Sequence, residues 1–124
     1  MDPKQGEIYW VEIRQSETVG TEQWKRRPYI IVSRTAINKV APNVVGVPMS
    51  TQTRKAGQHR ILLPATEIIR DVSCASTISD SVALTDQIRV LDKSRLETRI
   101  GCLTQTATVG LLENGLAFLF DIPV

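Results

Sequence analysis

Gly6-Glu7-Ile8-Tyr9-Trp10-Val11-Glu12-Ile13 decides how the rest of the chain is read. In an extended backbone successive side chains alternate between two faces, so Tyr9, Val11 and Ile13 fall on one side and Ile8, Trp10 and Glu12 on the other. That spacing predicts a strand over Gly6–Ile13. The residues that follow, Arg14 to Arg27, are polar, contain Gly20 and show no apolar period. They are long for a connection inside a small domain and are expected to form a functional loop. Pro28 opens the next apolar, β-branched run, Tyr29–Ser33, at a position where a missing amide donor is tolerated.

Further out the pattern repeats. Asn43–Met49 reads as a strand interrupted by Gly46, and Pro48 near its end suggests an edge or a terminus. Ser50–Gln58 is a second polar loop. His59–Leu63, Ser81–Leu84 and Ile88–Leu91 are short strand candidates, and Pro64–Asp80 carries no regular pattern. Ser94-Arg95-Leu96-Glu97 has the spacing of a capping box, which predicts a helical start or single turn there. Thr104–Phe118 is predicted to be a helix with Ala107, Leu111, Leu112 and Phe118 near one side, despite Gly110 and Gly115. Many short strands and one late helix imply a mainly β domain, a small barrel or sandwich capped by that helix.

The chain has 124 residues, 42% of them hydrophobic, enough for one core and too few for two full domains. A single domain over 1–124 is expected. Met1–Gln5 is polar and no apolar run is long enough to cross a bilayer, so the expectation is a soluble, cytoplasmic protein without a membrane partner. Cys74, Cys102 and the single His59 lack the spacing of a zinc site. No metal or cofactor is expected, and the thiols are expected to stay reduced in or near the core.

Charge is unevenly spread. Trp24–Thr66 holds eight basic residues (Lys25, Arg26, Arg27, Arg34, Lys39, Arg54, Lys55 and Arg60) and no acid, while the remainder holds all thirteen acids and seven bases. Folded onto one face, the basic stretch would attract a polyanion; scattered by the fold, it would be ordinary solvated charge.

Several pieces recur in a familiar order: Gly6-Glu7-Ile8-Tyr9-Trp10-Val11, Gly20-Thr21-Glu22-Gln23, Arg26-Arg27-Pro28, Val32-Ser33-Arg34, Val47-Pro48-Met49-Ser50-Thr51, Asp80 through Arg89, Asp92-Lys93-Ser94-Arg95-Leu96 and Ile100-Gly101. Together, and spanning nearly the whole chain, they resemble the MazF/PemK family of toxin–antitoxin ribonucleases. The resemblance implies an SH3-like β-barrel that works as a homodimer. It implies metal-independent, sequence-specific cleavage of single-stranded RNA (an mRNA interferase), leaving a 2′,3′-cyclic phosphate and a 5′-hydroxyl. It further implies a cognate antitoxin that blocks the site. The family's catalytic arginine falls on Arg27 and its hydroxyl residue on Ser50, with Thr51 the neighbouring hydroxyl. The stretch Pro64–Ser79 is longer than the family pattern.

The chemistry of each residue fits that implication to a different degree. Cleavage by the RNA's own 2′-hydroxyl needs charge stabilisation on the phosphorane oxygens and proton transfer at two oxygens. Arg27 suits the first task, because a guanidinium offers fixed donors and stays charged; the other reading is a surface ion pair. Ser50 at a strand end could donate to a phosphate oxygen, or simply bond local backbone in a turn. Glu22, Gln23, Asn38, Asp86 and Gln87 carry amides or carboxylates suited to unpaired bases, or are turn and surface polar groups. Lys25, Arg26, Thr51, Arg54 and Lys55 are candidate backbone contacts. Trp24 could stack on a base or anchor its loop. His59 is expected to be a hydrogen-bonded strand histidine rather than a substrate contact.

Two other functions compete. One is a non-catalytic toxin of the same fold acting by protein contact, the gyrase-poison type, which as a family relies on a tryptophan near the C-terminus; here both tryptophans lie early and the chain ends Leu119-Phe120-Asp121-Ile122-Pro123-Val124. The other is an inactive relative that only binds RNA or antitoxin. The basic stretch predicts an antitoxin with an acidic, largely disordered C-terminal segment that folds onto the same charges as RNA.

Overall fold

The computed structural model describes residues 2–13, 26–74 and 78–124. Among the described residues there are eight strands: β1 (Glu7–Val11), β2 (Arg27–Ile31), β3 (Asn43–Ser50), β4 (Ile61–Leu63), β5 (Ile68–Arg70), β6 (Ser81–Ala83), β7 (Arg89–Asp92) and β8 (Leu96–Leu103). A short helix α1 (Thr35–Val40) joins β2 to β3, and Gln105–Gly110 (α2) runs through a π-wound turn, Leu111–Leu116, into Ala117–Leu119 (α3). The strands pair in the order β4-β6-β3-β2-β1-β8-β5, with β7 on β3, and curl into a nearly closed barrel.

The alternation in β1 is what the barrel is built on. Ile8 packs with Ile30 and Val47 in one core, while Tyr9, Val11 and Ile13 pack with Tyr29, Ile31 and Leu91 in a second on the opposite face. Both faces of β1 are therefore buried, and a one-residue slip would exchange every side chain between two differently shaped cores. The β1–β8 register shifts twice, between Ile8 and Tyr9 and again between Tyr9 and Val11, irregularities that sharpen strand twist and help the sheet curl.

Three expectations are corrected. Pro48 is no edge residue: β3 is paired on both sides, to β2 along one and to β7 and then β6 along the other. Proline is accommodated because β7 stops opposite Gly46 and β6 starts opposite Met49, so its missing amide falls in the gap between two partners, while its carbonyl accepts from the Leu84 amide at 2.9 Å. Ser94 and Glu97 form no capping box: Asp92 caps the Lys93–Arg95 turn by accepting from the Ser94 amide, and Glu97 lies in β8. In the Pro64–Asp80 stretch, β5 forms on β8. Ile68, Ile69 and Arg70 are too short a run to alternate visibly, and Gly101 supplies what the sequence hides. A Cβ there would sit 2.0 Å from the Ile69 carbonyl oxygen, so only glycine lets β5 lie this close.

The terminal helix forms as expected, with Thr104 accepting from the Ala107 amide as its N-cap. Leu111 is buried in the core, but Phe118 is exposed, because the π-wound turn rotates the last residues off the apolar stripe. Cys74 and Cys102 form no disulfide among the described residues, and both are half-buried. None of the described helices is long and apolar enough to cross a membrane.

Candidate active site at the Arg27 end of the barrel

Arg27 opens β2, across from Val11. Only 9% of it is exposed, and Nε and Nη1 have no hydrogen-bond partner among the described residues. Burial lowers its pKa, with Tyr29 acting in the opposite direction; a guanidinium still keeps its proton at neutral pH. A buried, charged donor left without an acceptor costs more than the 1–3 kcal/mol typical of a neutral group, roughly. Such a group is poised for an anion that arrives from outside.

Ser50 closes β3 and is 8% exposed. The β2–β3 register pairs Tyr29 with Pro48, Ile30 with Val47 and Ile31 with Gly46, so Arg27 at the start of β2 and Ser50 at the end of β3 lie beyond the paired residues at the same end of the two strands. Ser50 Oγ accepts from the Gln52 amide at 3.2 Å, the local turn bond anticipated for a strand-end hydroxyl. Accepting that bond fixes the oxygen and leaves the hydroxyl proton to donate elsewhere. Thr51, one residue on, is exposed.

Beside Ser50 the first core opens into a cavity of about 170 Å³ whose walls include Trp10, Pro28, Met49, Ile78 and Ile100, with the hydroxyl residues Thr51, Ser79 and Ser81 also lining it. Arg26 covers Trp10, its guanidinium carbon 4.3 Å from the ring centroid, and donates from Nε to Glu97 Oε1 at 2.8 Å. Arg54, in the turn Thr53–Lys55, is exposed and donates to Gln52 Oε1 at 3.2 Å; Lys55 beside it is half-buried.

A second polar cluster flanks the β3–β4 connection, around a hollow of about 470 Å³ that includes Lys55, His59, Arg60 and Asp86. Both oxygens of Asp86 are taken by Arg60, and that hydrogen-bonded pairing holds the carboxyl below its usual range. His59 Nε2 lies 3.7 Å from Asp86 Oδ1 and makes no hydrogen bond among the described residues, contrary to the satisfied strand histidine expected. Gln87 Oε1 is likewise buried without a partner among them. The cluster is fixed from behind: Thr85 Oγ1 donates to the His59 carbonyl at 2.8 Å, and Gly115 in the π-wound turn is so close that an added Cβ would meet that carbonyl oxygen at 3.2 Å.

Not every sequence candidate belongs here. Asn38 is fully buried at the far end of β2 and is removed from the substrate-binding set. Its Nδ2 donates to the Pro3 and Ser33 carbonyls, each at 3.0 Å, and its Oδ1 accepts from Ser33 Oγ at 2.6 Å. Arg34 and Lys39 lie at that same end, past the five residues of β2, roughly 17 Å of extended chain from Arg27. The acid-free stretch therefore does not form one face: two of its charges leave the site, and Arg26 and Arg60 are neutralised by Glu97 and Asp86. Glu22, Gln23, Trp24 and Lys25 lie outside the described residues. Arg60 was missed as a site residue, since nothing in sequence couples it to an aspartate 26 positions on; the cavity walls were missed because core isoleucines carry no local signature. No group of three metal-ligating side chains occurs among the described residues.

Comparison with known proteins identifies the family. Residues 4–120 match the model of the PemK-like, MazF-like toxins of type II toxin–antitoxin systems. The chain is 32% identical over 97 residues to endoribonuclease EndoA of Bacillus subtilis, covering 78% of this chain and 77% of that one. It is 31% identical over 101 residues to endoribonuclease MazF of Staphylococcus saprophyticus, covering 82% and 78%. Among solved structures it superposes on MazF from Deinococcus radiodurans with a TM-score of 0.71 at 21% identity, covering 98% of each chain. A MazE–MazF structure from the same organism gives 0.70 at 21%, covering 99% and 100%; at these identities the likeness is one of fold. With the family model spanning nearly its whole length, this chain belongs to the PemK-like, MazF-like toxins of type II toxin–antitoxin systems.

Proposed function

We propose that this protein is an endoribonuclease toxin that cuts single-stranded RNA through the RNA's own 2′-hydroxyl, without a metal. The observation that supports the reading is the buried Arg27 guanidinium, whose Nε and Nη1 have no hydrogen-bond partner among the described residues. The curated relatives that share about a third of its sequence are named endoribonucleases. In the reaction the 2′-hydroxyl gives up its proton to solvent as its oxygen attacks phosphorus, the P–O5′ bond breaks and the 5′-oxygen takes up a proton from solvent, giving a 2′,3′-cyclic phosphate and a 5′-hydroxyl. Arg27 compensates the charge that builds on the non-bridging oxygens, where a fixed donor in a desolvated site is worth most. Ser50, its oxygen held by the Gln52 amide, donates a hydrogen bond to the same oxygens. Arg26, Thr51, Arg54 and Lys55 border the site and hold the backbone, and Gln87 offers its amide to a base. Asp86, engaged by Arg60, shapes the wall.

The working form in this reading is a cytoplasmic homodimer, neutralised by an antitoxin whose acidic segment competes for the charges RNA uses; solved relatives include a mycobacterial endoribonuclease in complex with its cognate antitoxin. The test is incubation of the purified protein with a long RNA in excess EDTA. Discrete fragments ending in cyclic phosphate are expected, and an RNA with a 2′-deoxy residue 5′ to the cut should survive. Cutting of the deoxy strand would require another nucleophile, and no cutting at all would leave a toxin acting by contact alone.

A further inference from the structure

Gly115 meets the His59–Arg60–Asp86 cluster from behind. In the π-wound turn Leu111–Leu116 it lies so close to the barrel that an added Cβ would stand 3.0 Å from Ile61 Cγ1, 3.1 Å from Thr85 Cγ2 and 3.2 Å from the His59 carbonyl oxygen. Gly110, at the end of α2, is different: a Cβ there would have only Asn114 Nδ2 near it, at 3.9 Å. Glycine weakens a helix and π winding is rare in one. Both occur where the helix backbone touches the His59 carbonyl, and that carbonyl belongs to two clamps. Thr85 Oγ1 donates to it at 2.8 Å, and Thr85, fully buried, opens the turn Thr85–Gln87 that carries Asp86. On the other side Gly57 and Arg60 exchange backbone hydrogen bonds of 2.9 and 2.8 Å, so His59 sits inside a closed turn with Lys55 just ahead of it. The Arg60–Asp86 fork joins the same two segments in front.

Resting on the nuclease reading above, we propose that Gly115 is a positioning residue for RNA binding. By letting the π-wound turn seat against His59 and Thr85, it fixes how Lys55, Arg60 and Asp86 are spaced around their hollow. A methyl group at 115 has three neighbours to displace, and none yields cheaply. The His59 oxygen is backbone, and Thr85 cannot turn its methyl away without also moving the hydroxyl that holds that oxygen. The displacement therefore passes into both segments together: into the Gly57–Arg60 turn through the carbonyl, and into the Asp86 turn through Thr85. Neither Arg27 nor Ser50 is among the atoms nearest Gly115, so the change falls on how RNA is held and not on how it is cut. A residue that only seated the helix would alter melting and leave that distinction untouched.

The test compares Gly115→Ala with Gly110→Ala, the same substitution where there is room. Steady-state cleavage of one defined RNA gives KM and kcat, and the Kd of a 2′-O-methyl copy that cannot be cut gives affinity alone. Gly115→Ala is expected to raise KM and Kd about tenfold or more, the worth of one charge-assisted hydrogen bond, with kcat unchanged. The Arg60 Nε–H resonance should shift with it. Gly110→Ala should leave KM, Kd and that resonance as in wild type. If Gly115→Ala fails to fold, Thr85→Val decides, since it keeps the shape of the side chain and removes the hydroxyl from the His59 carbonyl; it should raise KM in the same way, and Thr85→Ser, which keeps the hydroxyl, should restore it. Loss of kcat at constant KM, an unmoved KM in both Gly115→Ala and Thr85→Val, or equal effects at positions 110 and 115 overturns the proposal and leaves the nuclease standing. A wild-type protein that neither binds nor cuts RNA overturns the nuclease reading, and the proposal with it.

Discussion

Arg60 grips both carboxylate oxygens of Asp86, Nε to Oδ1 and Nη2 to Oδ2, each at 2.7 Å, across 26 residues of sequence. The pair ties the β3–β4 connection to the turn before β7, and His59 stands 3.7 Å from the same carboxylate.

Because Arg60 holds the Asp86 carboxyl below its ordinary range, the pairing stabilises the fold above the unfolded carboxylate pKa and stops doing so as pH falls through the depressed native value. Asp86 is about a third exposed, so screening limits the gain to about 1 kcal/mol. Arg60→Ala should therefore lose about that much at neutral pH, and the difference between variant and wild type should vanish in strong acid. Urea denaturation at both pH values measures it. A gap that persists in acid would mean Arg60 acts through packing instead.

The burial of Arg27 predicts a conflict between stability and activity. Replacing a buried charge by an apolar side chain of similar length is often neutral or stabilising by about 1–4 kcal/mol, whereas removing a donor to developing charge costs roughly 10²- to 10³-fold in rate. Arg27→Met should accordingly unfold at the same temperature as wild type or a few degrees higher, and cut RNA at least a hundredfold more slowly. Calorimetry and a timed digest of one substrate decide it; a variant that is both unstable and active would move Arg27 out of the site.

How much of this was readable beforehand depends on the range over which each feature is encoded. The alternation in Glu7–Val11 and the helix beginning after Thr104 are local, and both were legible. Arg27 and Ser50 were proposed through family resemblance; that β2 and β3 bring them to the same end of the barrel needs the antiparallel β2–β3 pairing, which no local pattern carries. Strand β5 was illegible because its evidence is the glycine at 101, some thirty residues downstream, approx.. Asn38 was misassigned because a buried amide satisfied by backbone carbonyls has the same sequence signature as one that reads a base.

Gly101 gives a prediction of its own. A methyl group there would lie 2.0 Å from the Ile69 carbonyl oxygen and 3.0 Å from Arg70 Cα, and backbone cannot yield as a side-chain tip can. Gly101→Ala should cost about 1–3 kcal/mol and detach β5 from β8 ahead of the rest of the barrel. Hydrogen exchange is the measurement: the Ile69 and Arg70 region should lose protection while β2 and β3 keep theirs. Equal loss throughout would show that β5 is integral to the barrel and not an added flap.

Asn38 separates a structural amide from a substrate contact. Its three hydrogen bonds join the N-terminal segment at Pro3, the end of β2 at Ser33 and α1. With the side chain removed, the Pro3 and Ser33 carbonyls lose their donor and the Ser33 hydroxyl, which the Val45 amide also uses at 3.0 Å, loses its acceptor. At about 1 kcal/mol per bond, plus the desolvation of groups left unpaired, Asn38→Ala should destabilise the protein by about 2–4 kcal/mol. It should do so without touching the chemistry, because it lies beyond the opposite end of β2 from Arg27. The expected outcome is a lowered urea midpoint together with unchanged cleavage rate and RNA affinity at a temperature where the variant remains folded. Weakened RNA binding at full stability would return Asn38 to the substrate and place the RNA path around the far end of the barrel.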